Sequence, residues 1–365
     1  MTKSQELLFE LLLVSTGARK MLSHGYTDQE WEEAYNLAEE QTIAGVLLSG
    51  MEILQQNVNF NANLNEGRSF FPSKMLLLQW IGNCQIIEAE TKKLESAAET
   101  VVKYFHKNGF ACQILKGCSV GRYYPNPLRR SSGDIDVWLD GSRKKIYDFA
   151  RAFDKDGKLY GVNYHHIHFH LIDGVHIEAH IWPSYLSSPL RNCRLHKFCN
   201  SHRPTMEATT PSLAFDRVFI LLHCYRHICG HGVGLRQIMD YYYILKQGFT
   251  EEEGRDAIYW IKQLGMGRFA AGLMWVLKVY FGLEEQYLLM EPDEKEGRFI
   301  IKEVMLTGNM GHSDTRNWGS LKSPLSRFFL NLRRDFYLVK HYPHEAIWQP
   351  LFSIWLYLWR FSKVL

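Results

Sequence analysis

Gly133-Asp134-Ile135-Asp136-Val137-Trp138-Leu139 is the stretch on which the reading of this chain turns. Two carboxylates separated by one apolar residue on a β-branched run fall on the same side of a strand. Strands disfavour Asp, and two on one face repel each other unless a cation sits between them. A divalent ion meets that need, because Mg²⁺ takes oxygen ligands and is often held by one or two carboxylates together with substrate phosphates. The alternative is a strand end running into a loop, with both carboxylates solvated. The flanking sequence argues for the first reading.

Upstream, Ala111-Cys112-Gln113-Ile114-Leu115 has the composition of a short buried strand. Lys116-Gly117-Cys118-Ser119 then turns the chain, and a helix can start over Ser119 to Tyr124. A strand, a glycine turn and a helix start offer free backbone N–H groups to a phosphate. At such a helix start a thiol pKa is lowered, but Cys118 reads better as a small residue that admits phosphate. Tyr124-Pro125-Asn126-Pro127 is rich in turn residues, and Arg129-Arg130 follow. Two guanidiniums next to the carboxylates suit polyphosphate oxygens.

Downstream, residues 164–182 alternate with period two around Asp173-Gly174, a hairpin signal. A three-residue loop, Ile172 to Gly174, pairs Leu171 with Val175 and then sets His170 opposite His176, His168 opposite Glu178 and His166 opposite His180. That register places the polar side chains on one face and Val175, Ile177, Ala179 and Ile181 on the other; a two-residue loop would mix the faces. Glu178 becomes a third strand carboxylate. His180, two residues on and on the same face, is a candidate general base with an ordinary imidazole pKa near 6.5.

These motifs together (Leu-Lys-Gly, Tyr-Pro-x-Pro-x-Arg, Asp-Ile-Asp and Ile-Glu-Ala-His) resemble the polymerase-beta-type nucleotidyltransferase superfamily. They are most similar to an uncharacterised bacterial nucleotidyltransferase family (NTP_transf_5-like). The resemblance covers roughly residues 110–182, with a weaker continuation over 213–245 in which His223, His227 and Asp240 fit the helical pattern. It implies two-metal nucleotidyl transfer from an NTP, with Asp134, Asp136 and Glu178 as ligands to two Mg²⁺ (or Mn²⁺) ions. Gly117 matches its glycine turn; read from their own chemistry, Lys116, Gly117, Ser119, Arg129 and Arg130 are expected to bind the nucleotide, and His180 is expected to join the three acids in the catalytic set. Two departures are visible: Cys118 separates Gly117 from Ser119, and the span from Gly117 to Asp134 is long.

The mild net charge of +3 makes no case for nucleic acid as partner. The acceptor is expected to be a small molecule or a protein hydroxyl. Cys84, Cys112, Cys118, Cys193, Cys199, Cys224 and Cys229 show no zinc-finger spacing, and an odd count without a signal peptide fits reduced thiols in the cytoplasm. No apolar run reaches the length of a membrane span.

The expected class is α+β: an N-terminal helical region (1–108), a small mixed-sheet nucleotidyltransferase core (109–185) and a C-terminal helical domain (186–365). One long helix is expected over 72–108, an asparagine-rich loop over 56–68, and an irregular connection over 186–210. Helices are expected over 212–229, 234–247, 251–264 and 267–282, with Ser212 as an N-cap. A mobile loop is expected over 305–322.

Three further features carry alternatives. His223, His227 and His231 lie at i, i+4 and i+8, as a zinc pair does, but without the intervening Glu of the metalloprotease motif; a polar stripe lining a cleft explains them too, with His223 or Arg226 bordering the nucleotide site. Six of the 16 histidines fall between 165 and 180, as a transition-metal site or as a polar strand face. The aromatic, basic segments 326–341 and 347–365, including Trp348, Trp355, Trp359 and Phe361, suit either a membrane surface or packing on a neighbouring helix. An inactive nucleotidyltransferase scaffold acting as a binding module, or a zinc hydrolase built on the histidines, remain alternative functions.

Overall fold

The computed structural model describes residues 1–57, 67–153, 157–230, 232–311, 313–314, 316 and 324–363. His231, most of the expected 56–68 loop and most of the expected loop beyond residue 311 lie outside these residues, as do the side chains of Ser326, Arg327 and Phe361.

The chain is α+β, with a small mixed sheet embedded among helices. Helices α1 (Lys3–Ser15), α2 (Asp28–Glu40) and α3 (Ala44–Asn57) come first, joined by a two-residue ladder of β1 (Tyr26–Thr27) with β2 (Arg68–Ser69). Thr2 and Thr27 cap α1 and α2, each in a reciprocal box with the residue three positions on (Gln5 and Glu30). The long helix is present as α4 (Lys74–Lys107), capped by Ser73.

Four strands follow: β3 (Cys112–Leu115), β4 (Ile135–Leu139), β5 (His166–Phe169) and β6 (Ile177–His180), in the order β3-β4-β6-β5. The β3–β4 and β5–β6 pairs are antiparallel and β4–β6 is parallel. The hairpin has the expected register, with His166 opposite His180 and His168 opposite Glu178. Gly174 takes φ +70, the left-handed conformation that turn demands. The parallel register sets Asp136 beside Glu178.

Period-two alternation sorts the sheet into two faces. Cys112, Ile114, Ile135, Val137, Ile167, Phe169, Ile177 and Ala179 belong to one buried core, packed against the second half of α4 and against α6 (Arg143–Phe153). The opposite face carries Asp136, Trp138, His166, His168, Glu178 and His180. It is covered by α8 (Leu213–Cys229), where Phe215 stacks on Trp138 at 5.4 Å.

A larger core joins α1–α3 to the C-terminal helices α8, α9 (Leu235–Lys246), α10 (Glu251–Gln263), α11 (Gly267–Phe281) and α12 (Glu294–Thr307). These match the helices expected from 212 to 282, and Ser212 caps α8 through its hydroxyl to the Phe215 N–H. The connection expected to be irregular over 186–210 instead holds α7 (Pro189–Asn200). Its signal is Ser188-Pro189 at the start, followed by Leu195, Phe198 and Cys199 on one buried face.

Helices α13 (Pro324–Leu338) and α14 (Pro343–Lys363) close the chain. On α14, Phe352 and Trp355 pack around Tyr164, while Ile347, Leu351 and Leu358 stay exposed. No helix among the described residues is long and apolar enough to cross a membrane.

Candidate functional site

The polar face of the sheet opens into a cleft of about 340 Å³ that runs between β4–β6 and helices α8, α9 and α13. Lys116, Gly117, Asp134, Asp136, Glu178 and His180 line it. Asp136 is 2% exposed, and both of its oxygens are occupied: Lys116 Nζ lies 2.8 Å from Oδ2 and His180 Nε2 lies 2.7 Å from Oδ1. His180 Nε2 also approaches Glu178 Oε2 at 3.4 Å. Glu178 is further flanked by His166 (3.1 Å) and His168 (3.8 Å). Asp134, one residue before β4, sits at the open end of the cleft and makes no hydrogen bond or ion pair among the described residues.

The charge states follow from these contacts. Burial disfavours the Asp136 carboxylate, but the Lys116 ammonium and the bond from His180 outweigh it and hold the group below the usual carboxylate range. Burial likewise opposes ionisation of Glu178, and His180 and His166 more than offset it. Protein packed around Asp134, with the adjacent Asp136 charge, pushes its carboxyl up. Burial pulls the His180 imidazole down, yet its bonds to Asp136 and Glu178 raise it overall. His165 and His223 are driven well below the ordinary imidazole range by burial and by neighbouring cations.

Lys116 has φ +46, and Gly117 follows at φ +42. A left-handed lysine is strained, and such strain persists only where the surroundings impose it. Here it turns the chain at the end of β3, where Leu115 pairs with Asp136, and brings the ammonium onto that carboxylate. The turn leads into a helix that is only five residues long, α5 (Gly117–Gly121). Within it burial pushes the Cys118 thiol pKa up rather than down. Ser119 is buried, with its hydroxyl unpartnered, and does not line the cleft.

The two arginines are also placed away from the expected phosphate role. Arg129 points into the N-terminal helices, where it binds Glu52 at 2.5 and 2.7 Å, Glu88 at 2.9 Å and Ser49 at 2.9 Å. Arg130 borders the cleft, but its guanidinium is locked by two 2.7 Å bonds to Asp240, which also accepts from the Tyr124 hydroxyl at 2.6 Å. Its remaining nitrogen holds Ser132 Oγ at 2.7 Å.

Other groups reach the cleft from distant sequence. Arg236, near the start of α9, donates to the Ser131 carbonyl at 2.8 Å, leaves its buried Nε unpartnered and makes no ion pair among the described residues. His223, Arg226 and His227 come from α8, as the stripe reading foresaw, and Arg334, Asp335 and Gln349 come from α13 and α14. Nothing local in the sequence marks Arg236, Arg334 or Asp335 as cleft residues, because only the packing of remote helices brings them there; His165 belongs to the histidine cluster of the hairpin.

The profile of a family described as an uncharacterised nucleotidyltransferase matches residues 27–282, which take in α2 to α11, the whole sheet and most of the cleft. The chain belongs to this nucleotidyltransferase family. Searches of curated proteins and of solved structures each returned no match. The matched segment ends before α13 and α14, so the nucleotidyltransferase's far cleft wall is built by residues outside the family profile.

The residues fit the divalent metal that the family implies. Three carboxylates line one cleft, the acid nearest solvent has no hydrogen-bond or ion-pair partner among the described residues, and Asp136, Glu178 and His180 present ligand atoms within 4.8 Å of one another. Hard oxygen donors in that arrangement suit Mg²⁺ or Mn²⁺.

Proposed function

We propose that this nucleotidyltransferase moves an NMP from an NTP to a hydroxyl of a small molecule or protein, in a reaction that depends on divalent metal. The observation that carries the reading is the convergence of Asp134, Asp136 and Glu178 on one face of the sheet with Lys116 bound to Asp136. Asp134, Asp136 and Glu178 are the residues that would hold metal. When bound, divalent ions neutralise phosphate charge and stabilise attacking and leaving oxygens.

The chain's own groups supply positioning. Lys116, bound to Asp136, and Arg236, which lines the same cleft, orient the triphosphate in place of Arg129 and Arg130. The paired left-handed residues at 116 and 117 hold the backbone turn open to a phosphate. His180 is buried, and its bond to Asp136 favours the protonated ring. We therefore assign it to holding Asp136 and Glu178 together rather than to accepting a proton. Arg130 and Arg236 pin residues 131–132, the lead into Asp134.

Calorimetric titration of ATP, GTP, CTP and UTP with Mg²⁺ or Mn²⁺ tests the reading, on wild type and on the Asp134→Ala/Asp136→Ala double variant. Metal-dependent binding of a nucleotide that is lost in the variant is the expected result. No nucleotide binding with either metal overturns the transferase reading and leaves the scaffold alternative.

A further inference from the structure

The hairpin face carries more imidazole than the carboxylate site uses. His180 is committed to Asp136, but His166 and His168 stand on the far side of Glu178, each close to a different oxygen of that carboxylate. Their rings stack with centroids 5.7 Å apart and planes at 23°. The ligand atoms of His166, His168 and Glu178 all lie within 4.8 Å of one another. His166 is 9% exposed, and its Nδ1, though 3.1 Å from Glu178, makes no aligned hydrogen bond. A buried ring nitrogen left without an aligned hydrogen-bond partner among the described residues is costly, and a metal ion bridging it to Glu178 would satisfy it.

The second ring is held in place. Gly161 takes φ +53, and a Cβ there would overlap the His168 imidazole. The His168 N–H donates to the Tyr160 carbonyl at 3.0 Å, so the backbone beside the ring is also fixed. His176 lies just outside, its ring centroid 4.6 Å from that of His168. Such support of ligand orientation is a regular feature of metal sites.

We propose that His166, His168 and Glu178 form a transition-metal site, distinct from the Asp134–Asp136 pair and sharing only Glu178 with it. Two imidazole nitrogens and one carboxylate oxygen suit Zn²⁺ or Co²⁺ and not Mg²⁺, which prefers oxygen alone. Three protein ligands leave one position open, beside His176. An ion there fixes the Glu178 carboxylate in its place facing Asp136 and staples β5 to β6.

The test uses the full chain stripped with EDTA and titrated with Co²⁺ in excess Mg²⁺, read by visible d–d absorption. One Co²⁺ per chain is expected in wild type and in Asp134→Asn. In His166→Ala/His168→Ala, Co²⁺ affinity is expected to fall by about 100-fold or more, while the circular dichroism spectrum and Mg²⁺-dependent nucleotide binding persist. His170→Ala, on the same strand face and outside the set, is expected to bind Co²⁺ as wild type does. Equal Co²⁺ binding by the double histidine variant overturns the site, as does loss of Co²⁺ binding in Asp134→Asn. Because nucleotide binding is read separately, failure of this site and failure of the transferase reading are distinguishable.

Discussion

Replacing Asp240 by Asn separates the two roles open to Arg130. In the structure Arg130 and Asp240 are 5% and 3% exposed and share two 2.7 Å bonds, with the Tyr124 hydroxyl as a third contact at 2.6 Å. Removing the charge of one partner leaves a buried guanidinium uncompensated, which costs about 3–5 kcal/mol. With a urea slope of roughly 3 kcal/mol/M, the unfolding midpoint falls by about 1 M or more. Urea titration followed by tryptophan fluorescence measures this directly. Arg130 also holds Ser132, two residues before Asp134, so nucleotide affinity is expected to weaken in the same variant. A midpoint within 0.3 M of wild type (under about 1 kcal/mol by the same slope), with tighter nucleotide binding, refutes the lock and restores Arg130 as a phosphate ligand.

Three other expectations follow from single contacts. Arg236→Met is expected to lower Mg²⁺–NTP affinity by roughly tenfold or more, while loss of the bond to the Ser131 carbonyl moves the stability by only about 1 kcal/mol; unchanged calorimetric affinity removes it from the triphosphate site. Asp216 is fully buried with neither oxygen hydrogen-bonded among the described residues, and burial pushes its carboxyl up to about 7. The folded state thus holds this proton where the unfolded state, near 3.9, has released it, so wild-type stability drains away as pH rises from about 4 to 7. Asp216→Asn is then near neutral at pH 4 and gains on wild type by up to about 4 kcal/mol at pH 7.5, and a pH-independent difference in urea midpoint refutes the burial cause. Gly45→Ala, which in an open helix gains about 1 kcal/mol, is expected to lose about 1–3 kcal/mol here because a Cβ would overlap the Arg129 carbonyl oxygen; a raised melting temperature contradicts that packing.

Much of the site was legible because it rests on local periodicity. Alternation of residue type fixes the faces of strands wherever one face is buried, so Asp134 and Asp136 fell on one side of their strand, His166, His168, Glu178 and His180 on one face of the hairpin, and the turn at Gly174 set the hairpin register; only the β4–β6 pairing made these one surface. The helices between 212 and 282 were readable from caps and apolar stripes. Helix α7 was hidden by a polar composition whose buried stripe is short.

The sequence by itself therefore determined the α+β class and the strand faces, since each depends on neighbours two to four residues apart, while the parallel pairing of β4 with β6 brought Glu178 beside Asp136. Lys116 was legible beside its strand, but tertiary structure alone decided which arginines line the cleft. Arg129 and Arg130 lie close to Asp134 in sequence but are captured by Glu52, Glu88 and Asp240, whereas Arg236 and Arg334 arrive from the remote helices α9 and α13. An arginine's role is set by whichever carboxylate the packing of helices brings within reach, and no local pattern encodes that choice.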